Sequence, residues 1–143
     1  MAALSAARTT RTRPVPTTRI AYPVNATDQI WKGGLVNIDS TGHATAATDS
    51  ATDLICVGVA EESVLGGAAD GDEWVTVLSG CAFELPAVGH LQNMVGTLMV
   101  VVSDNEIGDV GNATNDMAVG TLTRFVSTTK GEVFIPAGGF AAA

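Results

Sequence analysis

Between positions 54 and 85, three short apolar runs alternate with clusters of turn-forming residues. The runs cover residues 54–60, 74–78 and 81–85 and are rich in Val, Ile, Trp and Phe, whereas Gly, Asp and Ser dominate the segments between them. Runs of β-forming residues separated by turn-forming residues are typical of antiparallel strands. The pattern therefore predicts a meander of three strands at the centre of the chain.

The third of these runs differs from the first two in the faces that it presents. Cys81, Phe83 and Leu85 alternate with Ala82 and Glu84, as in a strand with one buried face. The first two runs are apolar on both faces, although an antiparallel sheet commonly leaves one face in water. We interpret the second apolar face as covered by a partner subunit. The predicted oligomer interface consists of Ile55, Val57, Val59, Met99 and Val101.

The remaining pattern also favours strands. No segment keeps a 3.6-residue apolar period for three turns without an interrupting Gly or Pro, so we expect little helix. About eight to ten short strands at this spacing predict an all-β fold, either a small β-barrel or a jelly-roll or sandwich. The further predicted elements are a hairpin of residues 35–38 and 43–46, a strand at 97–102, a loop at 103–116, and a hairpin of residues 118–126 and 132–135.

The length of 143 residues is that of one domain with its own core. We place a β-rich body at residues 20–136, an extended basic arm at 1–19 and a flexible tail at 137–143. No apolar run approaches the roughly 18 residues that span a bilayer, so we expect no membrane contact. The amino terminus also lacks the arrangement of a secretory signal, because its arginines follow a short Ala-rich start.

Charge divides the chain into two unequal parts. Residues 1–20 carry four arginines and no acid, whereas residues 21–143 carry three basic and fifteen acidic residues. An acidic body repels phosphate backbones, so direct nucleic-acid binding is not expected of it, and only the arm could supply such binding.

The arm has the composition of a segment that gains structure on a partner. Pro14 and Pro16 favour an extended, polyproline-like path, and nothing within the segment offsets the entropy lost on ordering it. We therefore expect it to become ordered against another protein. Its candidate partner-binding residues are Arg8, Arg11, Arg13, Pro14, Pro16 and Arg19.

The sequence contains no recognisable reaction centre. His43 and His90 have no Ser, Cys or carboxylate at the spacing of a triad or metal site, and neither a G-x-S-x-G motif nor a phosphate-binding loop occurs. Cys56 and Cys81 lie inside apolar runs, as small buried hydrophobic residues do. We expect no enzyme activity, no cofactor and no metal, and we interpret the acidic loops as solvated.

Several motifs together resemble the capsid decoration, or cement, proteins of tailed bacteriophages. These motifs are GGLVNI at 33–38, CVGVAEESV at 56–64, GDEWVTVLSGCAFELP at 71–86 and LMVVVSDNEIGDVGN at 98–112. The resemblance covers about residues 20–136. It implies a small barrel or jelly-roll subunit that is made in the host cytoplasm, clusters as a dimer or trimer on the outside of the virion, and extends an arm over the major capsid protein. It also implies the absence of enzyme activity.

Two other functions stay open from the sequence. In the first, the basic arm makes this a nucleic-acid-associated protein, although four arginines without interleaved aromatic residues favour weak and nonspecific binding. In the second, the body is a small β-barrel that binds a ligand in a pocket lined by His43 or His90.

Overall fold

The computed structural model describes residues 17–89 and 92–139, and within them the chain is all-β. It contains twelve strands and a single turn of 3₁₀ helix at Gln92–Met94. This confirms the predicted fold class. The strands are β1 Thr18–Pro23, β2 Gln29–Ile30, β3 Leu35–Ile38, β4 Ala44–Ala46, β5 Ile55–Ala60, β6 Val64–Leu65, β7 Trp74–Ser79, β8 Cys81–Pro86, β9 Leu98–Val101, β10 Ile107–Asp109, β11 Ala118–Ser127 and β12 Lys130–Ile135.

The strands form two five-stranded sheets and one short ribbon. Sheet I has the order β1-β7-β5-β3-β4, sheet II has the order β8-β12-β11-β9-β10, and β2 pairs with β6 in the ribbon. All of these strand pairs are antiparallel. The two sheets pack on each other as a sandwich, and no closed barrel occurs within residues 17–89 and 92–139.

Two apolar cores hold this arrangement. The inter-sheet core joins Leu35, Cys56 and Val59 of sheet I to the inward side chains of sheet II. The first-half core lies on the opposite face of sheet I, where the ribbon contributes Ile30 and Val64. The main members of the inter-sheet core from sheet II are Met99, Val101, Ile107, Val119, Leu122, Val133 and Ile135, and those of the first-half core are Val24, Val36, Ile38, Val57, Ala60, Val75 and Val77.

These two cores overturn the predicted oligomer interface. Val57 and Val59 are buried on opposite faces of β5, and Met99 and Val101 are fully buried between the sheets. Ile55 is half-buried and packs against the first-half core. The five residues therefore cannot form an exposed surface for a partner. Strands of sheet I are apolar on both faces because the same chain covers both faces.

The two sheets repeat one topology. We call residues 18–79 the first half and residues 81–135 the second half. When the five sheet strands of each half are numbered in chain order, without the ribbon strands, their order across the sheet is 1-5-4-2-3 in both halves. The strands β8, β9, β10 and β11 each begin 63 residues after β1, β3, β4 and β5; β3 begins at Leu35, for example, and β9 at Leu98. The molecule is thus an internal structural duplication.

Individual backbone contacts follow the same duplication. Equivalent amide and carbonyl groups form hydrogen bonds of nearly equal length at the start of the second sheet strand of each half, and an isolated parallel bridge joins the edge strands of each sheet. Ala60 N donates to Gly34 O at 2.9 Å, and its counterpart in the second half is Leu122 N to Thr97 O at 3.0 Å. Gly34 N donates to Trp31 O at 3.0 Å, and its counterpart is Thr97 N to Met94 O at 2.9 Å. The bridge Val24–Ala44 corresponds to the bridge Ala87–Ile107.

A glycine beside a bulge marks the same point in each half. The pairing register of β5 on β3 skips Val57, and that of β11 on β9 skips Val119. The next residue is Gly58 or Gly120, and a methyl group there would overlap the carbonyl oxygen of Leu78 or Phe134. Glycine is required at both positions because the backbone of the neighbouring strand leaves no room for a side chain.

The halves differ most in one connection. Residues 61–73 join β5 to β7, whereas only residues 128–129 join β11 to β12. The longer connection contains β6 and so creates the ribbon with β2. At the position equivalent to β2, the second half has the 3₁₀ turn instead. The ribbon is therefore an addition to the duplicated framework.

Other boundaries depart from the sequence-based expectations. The strand β1 begins at Thr18, so the arm as predicted overlaps sheet I by two residues. The predicted meander breaks after β7, because β8 crosses to sheet II after Gly80, where φ is 73°. The predicted loop at 103–116 contains β10. Of the predicted tail, Gly138 N donates to Ser79 Oγ at 3.0 Å, and residues 140–143 lie outside the described part.

Candidate partner-binding surface

The predicted arm residues divide into one that the structure describes and five that it does not. Arg8, Arg11, Arg13, Pro14 and Pro16 lie outside the described residues. Arg19 lies in β1, where its Nε is 2.9 Å from Glu61 Oε1. Both side chains of this ion pair are exposed, so it contributes at most about 1 kcal/mol. Arg19 thus contacts its own subunit.

The outer face of the ribbon carries two large exposed apolar side chains. In β2 and β6, Ile30 pairs with Val64 and both face the first-half core. Side chains alternate along a strand, so Leu65 and the residue after β2, Trp31, face outward. Trp31 is 61% exposed and Leu65 is 60% exposed. The equivalent of Trp31 in the second half is Met94, which packs against the inter-sheet core instead.

A second tryptophan lies where the ribbon connection returns to sheet I. Trp74 begins β7 and is 57% exposed. In the loop between Leu65 and Trp74, the Asp72 N–H donates to the Ala69 carbonyl oxygen at 3.2 Å. On the other side, Glu61 N donates to the Thr76 carbonyl at 2.9 Å, which holds the start of the connection against β7. Trp74 shares a face of β7 with Leu78, which pairs with Val59 of the inter-sheet core, so it lies on the face of sheet I opposite the ribbon. We call Trp31 and Leu65, together with the acidic side chains of residues 61–73, the ribbon surface.

The charge of this surface is strongly negative. Residues 61–73 contain five acidic residues and no basic one. Asp70 and Asp72 accept backbone N–H groups of Ala26 and Ala69, so their carboxylates hold the loop itself. Glu62 and Glu73 are exposed and, in the described part of the chain, form no ion pair. These two carboxylates are available to a cationic partner.

His43 lies at the end of the turn that begins at Asp39. Its Nδ1 lies 2.9 Å from Thr41 Oγ1, and its backbone N–H donates to Asp39 Oδ1 at 3.1 Å. Burial opposes ionisation of Asp39, but hydrogen bonds from Thr41 and His43 outweigh it and lower the pKa of Asp39. His90, the other predicted candidate, lies outside the described residues. The turn chemistry therefore accounts for the environment of His43.

The described residues form shallow cavities, and His43 does not line either of the two considered below. The larger groove has a volume of about 290 Å³ and lies beside Met94 and Val110. The other, of about 270 Å³, lies between the halves, with Asp53 on one side and Asp116 on the other. Both are at or below the lower end of the size range of small-molecule sites, about 300–1,000 Å³. Neither of these two cavities is the predicted pocket, since His43 lines neither and His90 lies outside the described residues.

The described residues contain no group of three or more His, Cys, Asp or Glu side chains placed to hold a metal ion. Both cysteines are free. Burial raises the pKa of Cys56 to about 12, and its side chain is part of the inter-sheet core.

The sequence contains the tryptophans, but the pattern of apolar residues does not show that they face water. Trp74 lies within the apolar run at 74–78, whereas Trp31 lies outside every predicted element. Which apolar side chains face water depends on the second core under sheet I. That core is formed by residues far apart in the sequence, so the periodicity of a single run does not reveal it.

In residues 17–89 and 92–139 there is no helix with the length and apolar character needed to cross a membrane. Searches of protein families and of curated proteins found no match to this chain.

Proposed function

We propose that this protein is a structural component of a tailed-phage virion that binds the outside of the capsid and stabilises the shell. The main observation in its favour is the ribbon surface, since large exposed apolar side chains such as Trp31 and Leu65 are typical of protein–protein contacts. The resemblance of residues 20–136 to capsid decoration proteins supplies the class of partner.

The body has the properties that such a role requires. Two cores and two packed sheets make a compact scaffold, and the duplicated framework carries one added ribbon that presents Trp31 and Leu65. Four of the seven basic residues lie in the first twenty positions, so the arm differs in charge from the acidic body. An arm of this kind contacts acidic groups on coat subunits through charge-assisted hydrogen bonds.

Many copies on one shell make weak contacts effective. Each arm and each ribbon surface contributes only a modest interaction, but a subunit held at one point meets its second contact at high local concentration. Contacts across the seams between coat subunits would then resist the outward pressure of packaged DNA. This function needs no catalytic step.

Binding to particles tests the proposal. The purified full-length chain is mixed with phage particles from the bacterium that carries its gene, and with the same particles stripped of their decoration, and bound protein is measured by sedimentation and located by cryo-electron microscopy. We expect saturable binding on the outer surface of the stripped particles and slower heat-induced release of DNA.

Two full-length variants make the test specific. Reversal of charge at Arg8, Arg11 and Arg13 should reduce particle binding at least tenfold, whereas Arg19→Ala should bind as the unmodified chain does, because Arg19 pairs with Glu61 in its own subunit. The proposal would be wrong if the protein bound free DNA but not intact particles, or bound neither.

A further inference from the structure

The two halves of the chain meet through surfaces that are not equivalent to each other. Leu35 and Ala47 of the first half pack in the inter-sheet core. Beside them lies the turn between β9 and β10 of the second half, where the Asp104 carbonyl oxygen accepts the Leu35 N–H at 2.8 Å and Ser103 forms an isolated antiparallel bridge with Thr48. A face of the first half therefore contacts a turn of the second half.

The second half has its own copy of the contacted face, and that copy is open. Leu98 and Val110 begin β9 and follow β10, as Leu35 and Ala47 begin β3 and follow β4. Leu35 and Ala47 are 1% and 2% exposed, whereas Leu98 is half-buried and Val110 is 54% exposed. Leu98 and Val110 line the groove of about 290 Å³ beside Met94. This groove is an apolar surface without a cover in the described part of the chain.

The first half likewise has its own copy of the contacting turn. The connections at 39–43 and 102–106 have the same length, and a hydrogen bond between the first and last residue closes each of them, at 2.9 Å in the first half and 3.0 Å in the second. Ser103 is half-buried, but its counterpart Ser40 is exposed. Because Ser40 and Val110 are both exposed, the turn and the groove of one subunit do not cover each other.

We propose that the groove of Leu98 and Val110 binds the turn at 39–43 of a second copy of this chain. The contact repeats between two copies the face-to-turn contact that already joins the two halves of one copy. Its two surfaces differ, so a subunit that binds through its groove still presents a free turn. Such head-to-tail contacts close into a ring or continue as a filament.

The equivalence also predicts the polar part of this contact. The N–H of Leu98 should donate to the Thr41 carbonyl oxygen of the second copy, as the N–H of Leu35 does to that of Asp104. Asp49, whose carboxylate accepts two backbone N–H groups of the second half, has the neutral Asn112 as its counterpart. Neutral acceptors form weaker hydrogen bonds, so association of copies should be weaker than the contact between the halves and reversible.

This inference goes beyond capsid binding and does not rest on it, because its test uses the purified full-length chain alone. Self-association through the groove without particle binding would contradict only the proposed function. Particle binding by a chain that remains a monomer would contradict only this inference.

Two full-length variants test the pairing by sedimentation velocity. Val110→Arg places a charged side chain in the groove, and Ser40→Arg places one on the turn. We expect the unmodified chain to associate and each variant alone to associate at least tenfold more weakly. At a concentration at which the unmodified chain is associated, an equimolar mixture of the variants should form dimers that grow no further. The intact turn of the first variant then binds the intact groove of the second.

Two outcomes of this experiment would overturn the inference. A mixture that remains monomeric would show that the groove and the turn do not bind each other. A Ser40→Arg chain that associates as strongly as the unmodified chain would show that the turn takes no part, as in a symmetric contact of groove with groove.

Matched variants control for the added charge and for folding. Leu65→Arg changes an apolar residue that is 60% exposed on the ribbon surface, and Thr128→Arg changes an exposed residue in the turn between β11 and β12. Both should associate as the unmodified chain does, and a loss in Leu65→Arg as large as in Val110→Arg would count against the groove. The melting temperature of every variant shows whether it is folded.

Hydrogen–deuterium exchange of the unmodified chain supplies a measurement that needs no variant. Peptides covering residues 93–112 and residues 39–43 should exchange more slowly in the associated chain than in the dilute monomer, whereas residues 61–73 should exchange equally in both. Slower exchange of the groove without slower exchange of the turn would overturn the inference. A chain that remains monomeric at every concentration reached would also overturn it.

Discussion

Asp49 and Asn115 are joined across the two halves by two hydrogen bonds, both donated by Asn115. The backbone N–H of Asn115 donates to Asp49 Oδ1 at 2.9 Å, and Asn115 Nδ2 donates to the Asp49 carbonyl oxygen at 3.2 Å. The backbone N–H of Thr114 donates to Asp49 Oδ2 at 2.7 Å. One carboxylate thus connects residues that are 66 positions apart in the sequence.

Replacement of Asp49 by Asn should lower the melting temperature, because the neutral amide is a weaker acceptor for these two backbone donors. The backbone hydrogen bonds from Thr114 and Asn115 lower the pKa of Asp49. The stabilisation is therefore complete above the unfolded-state pKa, near 3.9, and is lost as the pH falls through the lower folded-state pKa.

Thermal melts of the two proteins from pH 7 down to pH 2 check this prediction. The difference in melting temperature should be largest at neutral pH and should shrink at the acidic end of the range. Glu62→Gln, which removes an exposed carboxylate that makes no described ion pair, serves as the control. A difference that did not change with pH would show that the charge of Asp49 is not its stabilising property.

Gly58→Ala and Gly120→Ala should each reduce the free energy of unfolding by about 1–3 kcal/mol or more, as overpacking does. In both variants the new methyl group overlaps a carbonyl oxygen, that of Leu78 or of Phe134, in the neighbouring strand. The loss should be larger at Gly58, because its φ of 145° adds backbone strain to the steric overlap that both positions share. Urea denaturation measures the change.

The control for these glycine variants is Gly42→Ala. Gly42 has a φ of 88° and no atom within 4 Å of the added methyl group, so its replacement tests backbone strain without steric overlap. We expect a loss of about 1 kcal/mol there. Equal losses in all three variants would contradict the role assigned to the close strand approach.

Asn37→Asp should destabilise the protein strongly at neutral pH. Asn37 is fully buried, and its Nδ2 donates to the Thr48 carbonyl at 3.0 Å and to Asp53 Oδ2 at 3.1 Å, while Oδ1 has no partner. An aspartate there faces the Asp53 carboxylate and the Thr48 carbonyl with no donor. Protonation relieves this repulsion, so the loss of stability should diminish as the pH is lowered.

Asn37→Ala separates the missing donor from the added charge. It leaves the Thr48 carbonyl without its side-chain donor and should cost about 1–3 kcal/mol. That loss should vary little between pH 7 and pH 5, in contrast to the aspartate variant. Chemical denaturation of both variants at the two pH values measures the difference, and parallel behaviour would count against the carboxylate repulsion.

The two cysteines should differ in their reaction with iodoacetamide. Cys56 is fully buried, and burial raises its pKa to about 12, so almost no reactive thiolate is present at pH 8. Cys81 is half-buried at the start of β8. Peptide mass spectrometry of the native protein should find Cys81 modified first, and both cysteines modified after denaturation. Faster labelling of Cys56 would contradict its place in the inter-sheet core.

The order of β-forming and turn-forming residues was sufficient to predict the all-β class and most strands. Short runs such as residues 35–38 and 118–126 have local signatures, because turn residues and β-branched residues act through nearby backbone geometry. Charge gave the contrast between arm and body, which is a property of composition. These features need no knowledge of which strands pair.

The tertiary structure alone decided what the apolar faces cover. Val57, Val59, Met99 and Val101 resembled an interface because two apolar faces exceed what one sheet needs, yet Val57 packs in the first-half core and the other three pack in the inter-sheet core. The same packing leaves Trp31 and Trp74 in water and turns Met94, the equivalent of Trp31, inward. A side chain's exposure depends on neighbours far along the chain, and no local pattern contains them. The sequence by itself therefore determined the strands and their charge, and the pairing of the two halves determined the surface.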